Sequence, residues 1–415
     1  MRYLGFEGKK VTCVLDSASA PCGSIQVPEE LGDVSGSELL SGYEVWNGKV
    51  YRKGESKPAK QLRVALVGPY RSRCGISTYS ERLFPLIARQ VGESRIFSET
   101  IEGIPEEFGV DRCWTRGLPL DGLAEKIRAY DPDVILIEHG YDIFPEARHW
   151  LSLMSRLETR RTLVTLHSVS LEPGRIVHEA AIPEIIVHSD AARSVLADKG
   201  FAMPIHIVPH GCDEALESDP IANPYGSDHT IVQFGFGFPY KGWESALMAV
   251  HALRERYPDI FYTALFGENP RAKLLHENYL VKLKILIREL GIESNVAILS
   301  GYPSTTVLNG YLRSNRIAVF PYVVDNGIDT VYAASGAVRI AMQAGLPTIV
   351  SQAPIFSDLE GVCPRVADTE ELCREISNMF DDAAAHHQQA IRQSWFLKTN
   401  CWENVAKQHI DLLVG

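Results

Sequence analysis

No run of about twenty apolar residues occurs anywhere in the 415-residue chain, so nothing in it reads as a helix that crosses a bilayer. The first ten residues, Met1-Arg-Tyr-Leu-Gly-Phe-Glu-Gly-Lys-Lys10, lack the apolar core of a secretory signal. The eight cysteines (13, 22, 74, 113, 212, 363, 373 and 401) form no CxxC pair and no cluster with histidine. Free thiols in a cytoplasmic, reducing compartment are therefore expected rather than disulfides or zinc. A basic surplus is missing as well: 41 lysines and arginines face 52 acids, a net charge of −11. Proteins that grip the phosphate backbone of nucleic acids at large show the opposite balance. The stretch from Lys49 to Arg63 departs from this, with six basic residues against Glu55 alone, and reads as a solvated linker. Phosphate-binding GxxxxGK[ST], nucleophile-elbow GxSxG and zinc-binding HExxH motifs are all absent. No Asp-x-Asp pair stands at the end of a predicted strand to hold a metal. The chemistry is expected to need no metal and no cofactor, only the positioning of an already activated substrate.

What is present is an ordinary soluble composition, 45% hydrophobic and 22% charged, in a chain too long for a single core. Residues 1–60 read as a small β appendage. Strand-like segments occur at 10–15 and 43–52, the second folded at Asn47-Gly48, a strong hairpin signal. From residue 61 the pattern becomes strand and helix in alternation, with buried-strand runs at 62–67, 133–137, 162–166, 184–187 and 205–208. This predicts a doubly wound domain over 61–212. A polar Pro/Gly segment follows, and a second domain is expected over 226–393. Its strands are read at 230–234, 261–266, 296–299, 317–320 and 347–351. Its helices are read at 243–257, from about 272 to a stop at Gly291, after a Ser304 cap, and at 336–344. Residues 394–415 read as a last amphipathic helix that returns to the first domain.

In open α/β sheets the ligand lies beyond the carboxyl ends of the strands. In the second domain that places Gly235, Gly237 and Lys241 of Phe234-Gly-Phe-Gly-Phe-Pro-Tyr-Lys-Gly242 together with Ser335-Gly336, which opens a helix. Glycines let backbone amides approach an anion, a helix N-terminus favours negative charge, and a lysine adds a point charge: together they suit a diphosphate. Glu268 and Tyr302, at the next strand ends, are candidate contacts to ribose or base. In the first domain His139 and His167 follow successive strands and could face one cleft, where a histidine can donate to a sugar hydroxyl. Arg71 and Arg73, after the first strand, suggest an anionic acceptor.

At these residues the chain resembles the GT-B family of retaining glycosyltransferases that includes sucrose synthase-like and mannosyltransferase-like enzymes. The resemblance runs from Leu62 to the C-terminus through Cys74-Gly-Ile-Ser-Thr-Tyr79, Ile137-Glu-His-Gly-Tyr-Asp-Ile-Phe144, Val164-Thr-Leu-His-Ser-Val169, Val208-Pro-His-Gly211, Tyr240-Lys-Gly242, Ser335-Gly336 and Ala344-Gly-Leu-Pro347. It implies two Rossmann-like domains facing a cleft, with a UDP- or GDP-linked sugar on the second domain and the acceptor on the first. By resemblance His139 would sit at the catalytic centre and Lys241 would hold the diphosphate. Ser335 and Gly336 would add amide contacts, and Gly75 would let the donor approach. The reaction implied is transfer of a hexosyl or pentosyl group with retention, to an acceptor that could be a sugar, a lipid phosphate or a modified nucleic-acid base.

Two positions depart from the family pattern. The acidic pair expected around the Ser-Gly helix falls on Tyr332 and Ile340, with Asp325 or Asp329 as possible substitutes for the first acid. The arginine expected before the lysine falls within Phe238-Pro239. These losses keep a non-catalytic nucleotide-sugar or glycan-binding module open. A phage-type transferase acting on modified DNA bases and a nucleotide-sugar epimerase of the same fold are further alternatives.

Overall fold

The computed structural model describes residues 2–7, 10–16, 24–27, 33–46, 49–52, 58–72, 74–170, 178, 180–215, 224–268, 272–301, 303–323 and 331–415. The chain forms two compact units, one of residues 1–58 with 414–415, the other of residues 59–413.

The smaller unit is a five-stranded antiparallel sheet of β1 (Arg2–Glu7), β2 (Lys10–Asp16), β3 (Ser24–Gln26), β4 (Tyr43–Trp46) and β5 (Lys49–Arg52), in the order β3-β1-β2-β4-β5. The β4–β5 pairing runs from Tyr43 opposite Arg52 to Trp46 opposite Lys49, the register a two-residue hairpin at 47–48 requires; those two residues lie outside the described set. A helix, Gly36–Gly42, starts where the Ser35 hydroxyl accepts from the Glu38 amide at 3.2 Å.

The larger unit contains two parallel sheets. The first comprises β6 (Arg63–Val67), β7 (Glu93–Glu99), β8 (Val110–Trp114), β9 (Val134–His139), β10 (Arg161–Leu166), β12 (Glu184–Val187) and β13 (Ile205–Ile207). Its order is β13-β12-β10-β9-β6-β7-β8, a doubly wound sheet whose strand order reverses between β6 and β9. Both faces are covered, so β9 is buried at every residue, as a central parallel strand must be. The helix Ala147–Leu157 buries Trp150, Leu153, Met154 and Leu157 against it, one stripe at helical spacing.

The second sheet comprises β14 (Thr230–Phe236), β15 (Phe261–Gly267), β16 (Val296–Ser300), β17 (Ile317–Phe320), β19 (Thr348–Ser351) and β20 (Arg365–Val366) in the order β16-β15-β14-β17-β19-β20. Its reversal lies between β14 and β17. The helix Lys273–Leu290 ends at Gly291 with φ 61°, and Ser304 caps the helix Thr305–Arg313 by accepting from the Val307 amide. The two sheets are stitched by an antiparallel ribbon, β11 (Ser168–Ser170) against β18 (Val331–Ala333).

The C-terminal segment is two helices, Ala383–Thr399 and Trp402–Val414, rather than one. The break at Asn400-Cys401 pairs with the inter-sheet linker: the Cys212 amide donates to the Asn400 carbonyl at 3.0 Å. Beyond it Arg161, the first residue of β10, donates to the carbonyls of Leu412 and Leu413 at 2.7 and 3.1 Å. The last helix thus returns to the first sheet.

Candidate functional site

The turn after β14 shows which glycines serve packing. A methyl group on Gly237 would overlap the Phe266 ring at 1.9 Å, and one on Gly242, at φ 70°, would lie 1.8 Å from the Pro321 carbonyl oxygen. These two are required by close approach alone. Gly235, at φ 145°, would instead meet the end of Lys241, 3.8 and 3.9 Å from Cε and Nζ. Lys241 closes a short 3₁₀ turn, Pro239–Lys241, and its ammonium donates to the Tyr322 hydroxyl at the exit of β17. It also lies 4.1 Å from the centre of the Tyr322 ring. Burial lowers the Lys241 pKa.

Burial raises the Tyr322 pKa, and the nearby Ser335 side chain opposes the rise. Ser335 is buried and precedes the helix Gly336–Gln343, yet its hydroxyl caps no amide of that helix. A methyl group at Gly336 would meet no described atom within 4 Å, and the same holds for Gly75 across the unit. Lys241 and Ser335 therefore both lie near one phenol, at the strand-order reversal of the second sheet, beside a helix start with open space in front of it. Glu268, leaving β15 on the same edge, is half-buried and near enough to His276 to oppose the lowering of that ring's pKa by burial. The His276 ring packs edge-on against Phe238 of the glycine turn, 4.8 Å between centroids.

One turn into the Gly336 helix lies Arg339, 2% exposed. Its guanidinium donates to the Ser335 carbonyl at 3.1 Å and to the His210 carbonyl at 3.3 Å, and pairs with Asp358. A fork of five donors fits three acceptors in this way where a lysine would not. The first turn of the candidate anion-binding helix is thereby tied to the linker between the sheets. Nothing in the sequence reading marked Arg339 or Tyr322; both are single polar residues inside otherwise apolar stretches, and that is the signal they carried.

On the first sheet, His139 ends β9 with no exposed surface. Its Nε2 lies 3.4 Å from Nδ1 of His178, and its ring packs among Tyr141, Phe144 and Trp150 at 5.4, 5.7 and 4.7 Å. Nδ1 has no hydrogen-bond partner among the described residues. Burial holds the His139 pKa well below its ordinary value, with His178 and His167 adding to the effect, so the ring is neutral.

His167 follows a different course. Its Nε2 is 2.8 Å from Oε2 of Glu138 and its Nδ1 3.3 Å from Nε2 of His188, whose own Nδ1 is 3.0 Å from the Val208 carbonyl. The Tyr79 ring packs edge-on or tilted against the rings of His167, His188 and His210. Both ring nitrogens of His167 are thus engaged inside the protein. Arg71 is exposed and paired with Glu107 at 2.8 Å. Arg73, Tyr302, Asp325 and Asp329 lie outside the described residues.

The two positions where the resemblance placed acids are packing positions. Tyr332 lies opposite Val169 in the β11–β18 ribbon and packs against the first-sheet core, while Ile340 packs against the core under the second sheet.

No family model matches the sequence, and no curated protein matches it. Solved structures do match. Sucrose-phosphate synthase from Thermosynechococcus elongatus aligns with a TM-score of 0.67 at 18% identity, over 85% of this chain and 98% of that one. The trehalose-6-phosphate synthase OtsA gives 0.66 at 13% identity over 85% and 98%. HepE of Anabaena in complex with UDP-glucose gives 0.64 at 14% identity over 85% and 99%. The fold is the GT-B glycosyltransferase fold, two Rossmann-like domains, here with a small β unit at the N-terminus. No helix among the described residues is long and apolar enough to cross a membrane.

Proposed function

We propose that the chain is a glycosyltransferase that moves a sugar from a nucleotide-sugar, with a UDP-sugar as the first donor to test, to an acceptor held by the first domain. The observation that carries this reading is the Lys241 ammonium held at the Tyr322 hydroxyl, with Ser335 close by and the start of the Gly336 helix unobstructed. A diphosphate placed there would take the Lys241 ammonium from Tyr322 and receive amides from the helix start, whose dipole favours it. That HepE was solved with UDP-glucose supports the choice of donor. Gly75 leaves room for the donor from the first domain, and the free Nδ1 of neutral His139 is the candidate contact to the transferred sugar.

In this mechanism the bond from the anomeric carbon to the diphosphate oxygen breaks while the acceptor oxygen bonds the same carbon on the same face. The acceptor's proton passes to the departing phosphate oxygen, so configuration is retained and no metal is required. Lys241 and the helix amides steady the charge that develops on the leaving group. We place the reaction in the cytoplasm.

Incubation with a panel of UDP- and GDP-sugars should release nucleoside diphosphate. Lys241→Ala should lower kcat/KM about a hundredfold or more, and His139→Ala by a similar factor. A protein that consumes no donor with any class of acceptor does not have this function. A second reading, a binding module without turnover, draws on Tyr332 and Ile340 being packing residues where the family has acids. It expects UDP at a hundredfold excess over its Kd to stabilise the fold by about 2.7 kcal/mol with no product formed.

A further inference from the structure

Beyond the proposed donor site, the carboxyl edge of the first sheet carries a cleft, about 440 Å³ in volume, at the exits of β7, β8 and β9. Its polar lining consists of Glu99, Thr100, Thr115, Arg116 and Asp142. The volume falls in the range of small-molecule sites, and the position is on the domain that the function proposed above assigns to the acceptor. We infer that this cleft receives a neutral, polyhydroxylated acceptor, a sugar without phosphate or carboxylate; the inference rests on that function for its role and on the charges of the lining for its chemistry.

The charges decide the class. Among the described residues Arg116 is the one cation in the lining, and it is already engaged. Its Nε and Nη2 lie 2.5 and 2.7 Å from the two oxygens of Glu99, and its Nη1 is 3.2 Å from Asp142. The Glu99 and Arg116 side chains are 5% and 10% exposed, whereas that of Asp142 is 68% exposed. A phosphate entering here would face two carboxylates against one cation whose fork is spent on them, and would be repelled. A sugar meets what it needs: carboxylate oxygens of Asp142 that accept from hydroxyls, and two threonine hydroxyls that both donate and accept.

The cleft also shares a wall with the catalytic edge. Nη2 of Arg116 is 3.6 Å from Sγ of Cys74, and that sulfur caps the helix opening at Gly75 by accepting from the Ser77 amide at 3.4 Å. Asp142 lies three residues beyond His139. A methyl group at the intervening Gly140 would be 2.6 Å from Ile76 and 3.0 Å from Oδ1 of Asp142, so the Asp142 loop lies tightly against the Gly75 helix. Arg71, the sequence-level candidate for an anionic acceptor, is absent from the lining and paired with Glu107.

The test is saturation-transfer NMR with methyl α-glucoside, maltose and glucose 6-phosphate, on the wild-type chain, Asp142→Ala, Asp142→Lys and Lys241→Ala. A neutral glycoside should bind the wild type and Lys241→Ala alike, and should bind Asp142→Ala at least tenfold more weakly. Glucose 6-phosphate should bind only Asp142→Lys, where the lining gains a free cation. Asp142 is exposed, so these variants fold. Preference of the wild type for the phosphorylated sugar, unchanged binding in Asp142→Ala, or no sugar binding at all overturns the inference. Failure of UDP-glucose turnover with Asp142-dependent sugar binding intact would count against the proposed donor chemistry and leave the cleft as assigned.

Discussion

The Val208 carbonyl oxygen can only accept a hydrogen bond, and that constraint orients three buried side chains. His188 must donate to it from Nδ1, which leaves its Nε2 as an acceptor, so His167 donates from Nδ1. Nε2 of His167 must then accept, and the group facing it is the Glu138 carboxyl. Glu138 therefore carries a proton and donates it, the reverse of an ion pair. Burial agrees: it raises Glu138 from an ordinary 4.5 to about 7 and lowers His167 from 6.5 to about 3. His409, the other basic group acting on Glu138, is lowered by burial as well.

The two shifts have opposite consequences for stability. The contribution from Glu138 is complete below its unfolded value and declines as pH rises through about 7, because the unfolded chain loses that proton first. The contribution from His167 is complete above 6.5 and is lost as pH falls toward about 3. Glu138→Gln keeps a donor facing His167 and cannot ionise. It should be more stable than the wild type above pH 7, by up to about 3 kcal/mol, and close to it at pH 5. Urea denaturation at pH 5, 6 and 8 measures this; a Gln variant that gains no stability over the wild type between pH 5 and 8 would mean that folding does not raise the Glu138 pKa.

At the scale of elements, the glycines around the turn after β14 divide into those the backbone demands and those it leaves free. Gly242→Ala places a methyl group on the Pro321 carbonyl at a left-handed φ, and should destabilise the fold by about 2 kcal/mol or more. Gly336→Ala meets nothing and should change stability by less than about 0.5 kcal/mol, while weakening UDP binding by crowding the helix start. Thermal melts of both variants with and without UDP separate the two effects; equal loss of stability would contradict the open space at Gly336.

The same division explains what could be read from the amino acids. Strands buried on both faces, such as 317–320, appear as short apolar runs and were placed at their observed bounds. β7 and β8 were not read, because they lie toward the sheet edge and mix Glu93, Arg95, Asp111 and Arg112 with apolar residues, so neither apolar runs nor strict alternation arise. The Glu99–Arg116 cleft lies at the exits of these strands and stayed hidden with them. β11 and β18, three residues each, are too short for any period to show. The turn after β14 was singled out because glycine and lysine after a buried strand carry a mechanism. The contact of Tyr322 with Lys241 was not, because a tyrosine after a strand is equally a packing residue.

At the scale of the molecule, the linker between the two sheets is held from both sides. Arg339 of the Gly336–Gln343 helix donates to the His210 carbonyl, and on the other side the Trp402 ring lies on Gly211, where a methyl group would approach it to 2.2 Å. Trp402 also meets Tyr79 of the first domain at 5.1 Å between centroids. The closing helix therefore fastens the linker to the first sheet, and Gly211 is glycine because the indole leaves no space for Cβ. Gly211→Ala should cost about 1–3 kcal/mol through overpacking, and Trp402→Ala about 3–5 kcal/mol through the cavity it leaves. In the double variant the methyl group added at Gly211 occupies part of the space the indole vacates. That protein should therefore be at least about 1 kcal/mol more stable than the sum of the two losses predicts. Equilibrium urea unfolding of the four proteins reads this coupling directly. Strict additivity would mean that the last helix does not rest on the linker, and the return of the chain to its first domain would have to be argued from the Arg161 contacts alone.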